Sequence, residues 1–146
     1  MTKEFRDMKG VIAIATTPFN NENLIDFESV DRLSNYYIES KVSGVTILGV
    51  MGEAHKLNIE EQKSLIKRYV NNLINSVPVI VGVSNAGLDN LELLSKFSMD
   101  SGASGVMVSG NNGLKNDDQI KSYFNQVVDR TQDIPICLQD YPPTTN

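Results

Sequence analysis

The chain has a single cysteine, Cys137, so it can form no internal disulfide, and that count fits a reducing compartment. Inside the apolar run "PICLQ" this cysteine reads as a small interior residue, not as a nucleophile or ligand. No apolar stretch approaches the roughly 20 residues needed to cross a bilayer, and "MTKEFRDMKG" lacks the continuous apolar segment of a signal peptide. A cytoplasmic location away from membranes is expected. Basic clusters are missing too: 13 Lys and Arg, no three of them adjacent, are spread among 18 Asp and Glu, for a formal charge of −5. That distribution has no electrostatic footprint for nucleic acid or anionic lipid. The one histidine, His55, has no Cys or carboxylate at ligand spacing and reads as a surface residue. No metal and no cofactor is expected.

What the chain does have is an alternation. Its 146 residues, 40% hydrophobic and 21% charged, suffice for one domain with a real core. Five short, almost continuously apolar runs begin at Val11, Val45, Pro78, Val106 and Pro135. Strands polar on one face would alternate, so this continuity predicts a parallel sheet with both faces covered. Between them the apolar residues step at helical spacing, as in Leu65/Ile66, Tyr69/Val70 and Leu73/Ile74, or Ile120, Tyr123/Phe124 and Val127/Val128. Helix starts are marked by Asn58 with Glu61, Asp89 with Glu92 and Asn116 with Gln119, each a capping-box pair. Asp26 is the expected cap of the first helix, with Ile25 and Val30 as a hydrophobic staple.

The order is therefore strand then helix, four times, and a fifth strand. Strand starts about 28 to 34 residues apart match compact βα units, and "VSGVTILG" (42–49) echoes "ASGVMVSG" (103–110) two units later. Two architectures fit. A (β/α)8 barrel takes about 250 residues, so this chain would hold a little over half of one. A five-stranded doubly wound sheet of flavodoxin type has the right length as it stands. In both, chemistry sits at the carboxyl ends of the strands. The loop after the first strand, "TTPFNNENLIDF", has neither the phosphate cradle nor the acidic cluster that a flavodoxin or response-regulator site would show.

Three segments, "GVIAIATTPFNNENLIDFESV", "GVTILGVMGEAHKLNIEEQKSLI" and "VPVIVGVSNAGLDNLELLSKFSMDSGASGVMV", together resemble the N-terminal half of the dihydrodipicolinate synthase and N-acetylneuraminate lyase family. The landmarks are Thr17-Pro18 and the Gly-x-x-Gly-Glu loop from Gly49 to Glu53. The resemblance implies a partial (β/α)8 TIM barrel, (βα)4 plus a fifth strand, with residues 1–146 as the N-terminal part of one barrel domain. It also implies a pyruvate-dependent aldolase or lyase that works through a Schiff base, with a 2-keto acid as its small-molecule partner. Full-length members are commonly tetramers, so a homo-oligomer is expected.

In that family the glycine loop holds the keto-acid carboxylate through hydroxyls and backbone amides, which places Thr17, Gly49, Val50, Met51 and Gly52 at the substrate. Glycines let the backbone approach a ligand, and successive amides beside a helix start suit an anion. Val50 and Met51 stand where the family has hydroxyl residues, so only amides remain for the task. Without the resemblance, the same loop is a tight βα turn with Glu53 near a helix start.

Two further departures follow. The family's proton-relay tyrosine, in Tyr-Asn-x-Pro, aligns with Gln139 when Pro142 is set on the motif proline, and a glutamine cannot shuttle protons as a phenol does. Tyr141, two residues on and so on the same strand face, is the candidate to supply a hydroxyl from a shifted position; a lid packed on the two prolines is the other use for it. After the fourth strand "SGNNG" replaces Thr-Pro-Tyr-Tyr, putting Asn111 and Asn112 where the family has tyrosines.

The family's Schiff-base lysine lies at the end of the sixth strand, beyond residue 146. None of the lysines present sits at the carboxyl end of an expected strand, where a desolvated amine would be tuned for carbonyl attack. The chain is expected to be a fragment of a protein about twice as long or a truncated gene product. Its first and fifth strands should be open edges prone to pairing. Three functions stay open: part of a Schiff-base aldolase, a non-catalytic keto-acid-binding relative, or an autonomous flavodoxin-like module. Strand order separates the last from the others.

Overall fold

The computed structural model describes residues 7–141. Five strands alternate with four helices: β1 (Ile12–Ile14), α1 (Phe27–Glu39), β2 (Gly44–Ile47), α2 (Ile59–Leu73), β3 (Val79–Gly82), α3 (Leu88–Asp100), β4 (Gly105–Ser109), α4 (Asp117–Thr131) and β5 (Ile136–Gln139). All pairings within the sheet are parallel and its order is β1-β2-β3-β4-β5. A doubly wound sheet would place β1 in its middle. Here β1 is an edge, and the consecutive order is that of an opened barrel.

Register assigns the faces. Ile14, Thr46, Ile80 and Gly105 are successive partners across the sheet, as are Gly82, Met107 and Cys137, and then Ser109 and Gln139. These residues line the concave face. The alternate residues Val45, Ile47, Val79, Val81, Val106 and Val108 turn outward and pack with Val30, Leu65, Tyr69, Leu91 and Val127 of the helices into a single core. The outer face is apolar throughout, while the inner one mixes Ile14, Ile80 and Met107 with Thr46, Ser109 and Gln139, and helices cover only the outer face. On the inner face the sheet curls over its own side chains: Ile80 and Met107 in the middle are buried, whereas Ile14 on the edge strand is 39% exposed.

The caps explain where the helices begin. Asn58 accepts from the amides of Glu60 and Glu61 at 3.0 Å, and the Glu61 carboxylate accepts from the Asn58 amide at 2.8 Å, a complete capping box. Asp26 accepts from the Ser29 amide, and the Ile25 side chain packs against the core that holds Val30. At α4, Asn116 accepts from the Gln119 amide, but the Gln119 side chain reaches one residue further back, to the amide of Lys115. The expected pair at α3 is corrected: Gly87 is the cap and Asp89 lies in the first turn. Asp89 and Glu92 are drawn instead to Arg130 of α4, and Glu92 also to Lys96, while Asn85 accepts from the Gly87 amide and turns the chain into the helix. Cys137, expected in the interior, is only half-buried, because it faces the concave side of an edge strand. No helix among the described residues is long and apolar enough to cross a membrane.

Candidate functional site at the carboxyl rim of the sheet

The rim is assembled from the ends of the strands. Beyond β1 the chain runs through Thr16 and Thr17. Thr17 is buried, and its hydroxyl donates to the carbonyl of Gly52 at 2.6 Å, pinning the loop after β2 to the end of β1. A threonine does this where valine could not, because a buried carbonyl needs a donor. Behind it the buried Tyr69 of α2 donates to the Thr16 carbonyl at 3.2 Å. Burial pushes that phenol far above its usual range, so it stays a neutral donor.

The loop itself is tightly wound. The Gly52 amide donates to the Gly49 carbonyl at 3.0 Å and the Glu53 amide to the Val50 carbonyl at 3.1 Å. Leu48 and Glu53, at its two ends, have φ of 54° and 52°, the left-handed region in which side-chain-bearing residues are uncommon. Glu53 caps nothing by its side chain; it pairs with Lys56, whose ammonium holds the carboxyl below its usual range. The short 3-10 turn Ala54–Lys56 is clamped from α2 by Gln62, whose amide donates to the carbonyls of Ala54 and Leu57 at 3.1 and 2.9 Å. His55 lies exposed in this turn.

Gly49 is buried over the concave face. A Cβ there would lie 3.4 Å from Ile14 Cγ2 and from Met107 Cε. Among the described residues, no hydrogen bond takes up the amides of Gly49, Val50 or Met51. Three consecutive unclaimed N–H groups beside a concave opening are the ingredients of an anion site. The side chains of Val50 and Met51 are exposed and offer no donor. Thus Thr17, Gly49 and Gly52 are brought together by the fold, with Val50 and Met51 carried on the same loop. Gln139 ends β5, three strands along the sheet from that loop, in register with Ser109. Tyr141 is 44% exposed beyond it; the lid reading involves Pro142 and Pro143, which lie outside the described residues. Asn111 is half-buried and Asn112 exposed in the loop after β4.

Three features of the rim escaped the sequence. Gly82, in β3, lies under the Leu48 carbonyl: a Cβ there would stand 2.2 Å from that oxygen. Ser84 and Ser109, past the end of β3 and at the end of β4, are joined by hydrogen bonds. Tyr123 of α4 donates to the Ser109 carbonyl at 3.3 Å, matching from β4 what Tyr69 does for β1. Isolated serines and one glycine among 10 carry no signal until their neighbours are known. No group of three or more His, Cys, Asp or Glu among the described residues is arranged to hold a metal ion.

A five-stranded parallel half-barrel with helices outside and a glycine loop at its carboxyl rim defines part of a (β/α) barrel, an architecture whose characterised enzymes keep their chemistry where the strands end. The chain belongs to the dihydrodipicolinate synthetase family, which it matches over residues 7–146. It is 30% identical over 138 residues to the 4-hydroxy-tetrahydrodipicolinate synthase of Methanocaldococcus jannaschii, covering 94% of this chain and 47% of that protein. Among solved structures, dihydrodipicolinate synthase from Rhodopseudomonas palustris superposes with a TM-score of 0.88 at 43% identity, over 91% of this chain and 44% of that one. YagE from E. coli K12, a prophage protein of the family solved in complex with pyruvate, superposes with a TM-score of 0.85 at 27% identity, over 93% and 46%. The chain spans about half the length of the relatives it matches.

Proposed function

We propose that this chain forms the N-terminal half of a Schiff-base aldolase or lyase barrel acting on pyruvate or a related 2-keto acid, with the reactive lysine supplied by the remainder of the barrel. The observation that carries this is the loop pinned by Thr17, with the amides of Gly49, Val50 and Met51 unclaimed beside the concave face. Those amides receive the carboxylate, and Gly49, with no side chain, lets the ligand lie against Ile14 and Met107. Gln139 and Tyr141, at the end of β5, are assigned to the proton-transfer side, with the Tyr141 hydroxyl as donor and acceptor and the Gln139 amide orienting the substrate. The complete protein acts in the cytoplasm as a homo-oligomer and needs no metal or organic cofactor.

A second reading, a keto-acid-binding relative without catalysis, is favoured by the exposed apolar Val50 and Met51 on the loop and by an amide in place of a phenol at Gln139. One experiment separates them. The complete polypeptide carrying this chain is incubated with pyruvate, reduced with borohydride and weighed. A stable adduct on one lysine is expected for the enzyme; saturable pyruvate binding without adduct supports the binder. Absence of any binding rejects both.

A further inference from the structure

Ser84 and Ser109 sit on the concave side of the rim: Ser84 follows Gly82 by two residues, and Ser109 follows Met107 by two, both on the inward parity of their strands. The Ser109 amide donates to Ser84 Oγ at 2.9 Å, and the two hydroxyl oxygens are 3.1 Å apart. A regular parallel ladder would send that amide to a backbone carbonyl; here a side chain has taken the acceptor's place. The two hydroxyls own two protons between them. Whichever donates to the other, one proton is consumed inside the pair and one is left. No hydrogen bond among the described residues takes the second proton. Tyr123 holds the Ser109 carbonyl from α4, so the pair is fixed in place at the rim with one donor to spare.

The position fits a ligand held by the glycine loop. Gly82 touches the Leu48 carbonyl, so Ser84 emerges directly beside that loop, one strand along. Neighbouring strands lie roughly 4.8 Å apart, which a three-carbon keto acid can bridge with its carboxylate on the loop amides. Ser109 is in turn in register with Gln139, whose amide extends the polar row to β5.

Resting on the reading of the loop as a carboxylate site, we infer that the Ser84–Ser109 pair is a second binding element of the rim, donating its one unclaimed proton to the carbonyl oxygen of the bound 2-keto acid.

The test compares pyruvate with propionate, which has the same carboxylate and chain length but no carbonyl oxygen, by calorimetric titration of the complete polypeptide in which any lysine identified by borohydride trapping is replaced by alanine, so that the carbonyl oxygen stays in the complex. Ser84→Ala is expected to weaken pyruvate binding about fivefold to tenfold and leave propionate unchanged, with Ser84→Thr restoring the preference. If Ser84→Ala fails to fold, Ser84→Cys keeps the side chain with little donor strength and is expected to show the same selective loss. Equal weakening of both ligands, or no weakening of either, overturns the pair's role while leaving the loop intact as the carboxylate site. A wild-type protein that binds neither ligand overturns the loop reading and the pair with it.

Discussion

Replacing Gly82 by alanine tests how the fold holds the loop in shape. The added Cβ would lie 2.2 Å from the Leu48 carbonyl oxygen, 2.7 Å from its carbon and 3.1 Å from the Gly49 nitrogen. All three are backbone atoms, so no rotamer change relieves the contact. Ordinary heavy-atom contact lies at about 3.5 Å, so the two backbones must part by more than about 1 Å. Leu48 is already left-handed at φ 54° and its side chain is buried, which leaves the loop little freedom to yield. Overpacking of this kind costs about 1 to 3 kcal/mol, and with backbone on both sides we expect about 3. For a domain of this size that lowers Tm by roughly 10 °C. Because the displaced atoms include the Gly49 amide, keto-acid affinity should also fall on the order of tenfold. Thermal and urea unfolding followed by circular dichroism, with pyruvate titration, measure both effects. Gly87→Ala is the comparison for a Cβ added without a clash, since it would meet nothing closer than 3.6 Å; it should cost only the weaker α3 cap, about 0.5 to 1 kcal/mol, and leave keto-acid affinity unchanged. A Gly82→Ala protein with wild-type stability and affinity would refute the claim that the Leu48–Gly82 approach shapes the site.

Three other expectations concern contacts around the rim and its helices. Thr17→Val keeps the shape but strips the donor from the Gly52 carbonyl, at a cost of about 2 kcal/mol in urea unfolding, whereas Thr17→Ser should retain most of the stability; equal losses for both would contradict the hydrogen bond's role. Asn58→Ala removes the side-chain half of the α2 capping box, leaving the Glu61 carboxylate on the backbone amide of residue 58, and should cost about 1 kcal/mol, with Asn58→Asp close to wild type. Asp31 accepts from Arg68 at 2.6 and 2.7 Å and from Asn72 at 2.8 Å, contacts that hold its carboxyl below the ordinary 3.8. A depressed folded value means that the stabilisation is present above pH 3.8 and disappears as pH falls through the lower folded value. Asp31→Asn should therefore be less stable than wild type at pH 7, with the difference closing below pH 3.8; a gap of constant size would show that the clasp between α1 and α2 is not electrostatic.

Much of the architecture could be read along the chain because its causes are local. A continuously apolar four-residue run such as "VIVG", or a stripe such as Leu65, Tyr69 and Leu73, shows its periodicity to anyone who counts. Caps are nearly as local, and Asn58 with Glu61 formed as expected. Asp89 failed because its carboxylate answered to Arg130, 41 residues away, and not to its own helix start. Cys137 failed for a related reason: an apolar context indicates burial only when something covers the strand, and β5 is an edge.

The sequence by itself determined the elements, their alternation and the loop on which ligand recognition is proposed to rest, since propensity, periodicity and capping act over a few residues. Local pattern left two strand orders open and only the family resemblance pointed to β1 as an edge; the tertiary structure settled it, because strand order depends on which way each crossover packs and leaves no mark on periodicity. It alone joined Thr17 to Gly52, set Gly82 beneath Leu48 and paired Ser84 with Ser109, contacts between residues 25 to 35 positions apart. Such contacts arise when separate strands end at a common rim, which is where this fold keeps its chemistry.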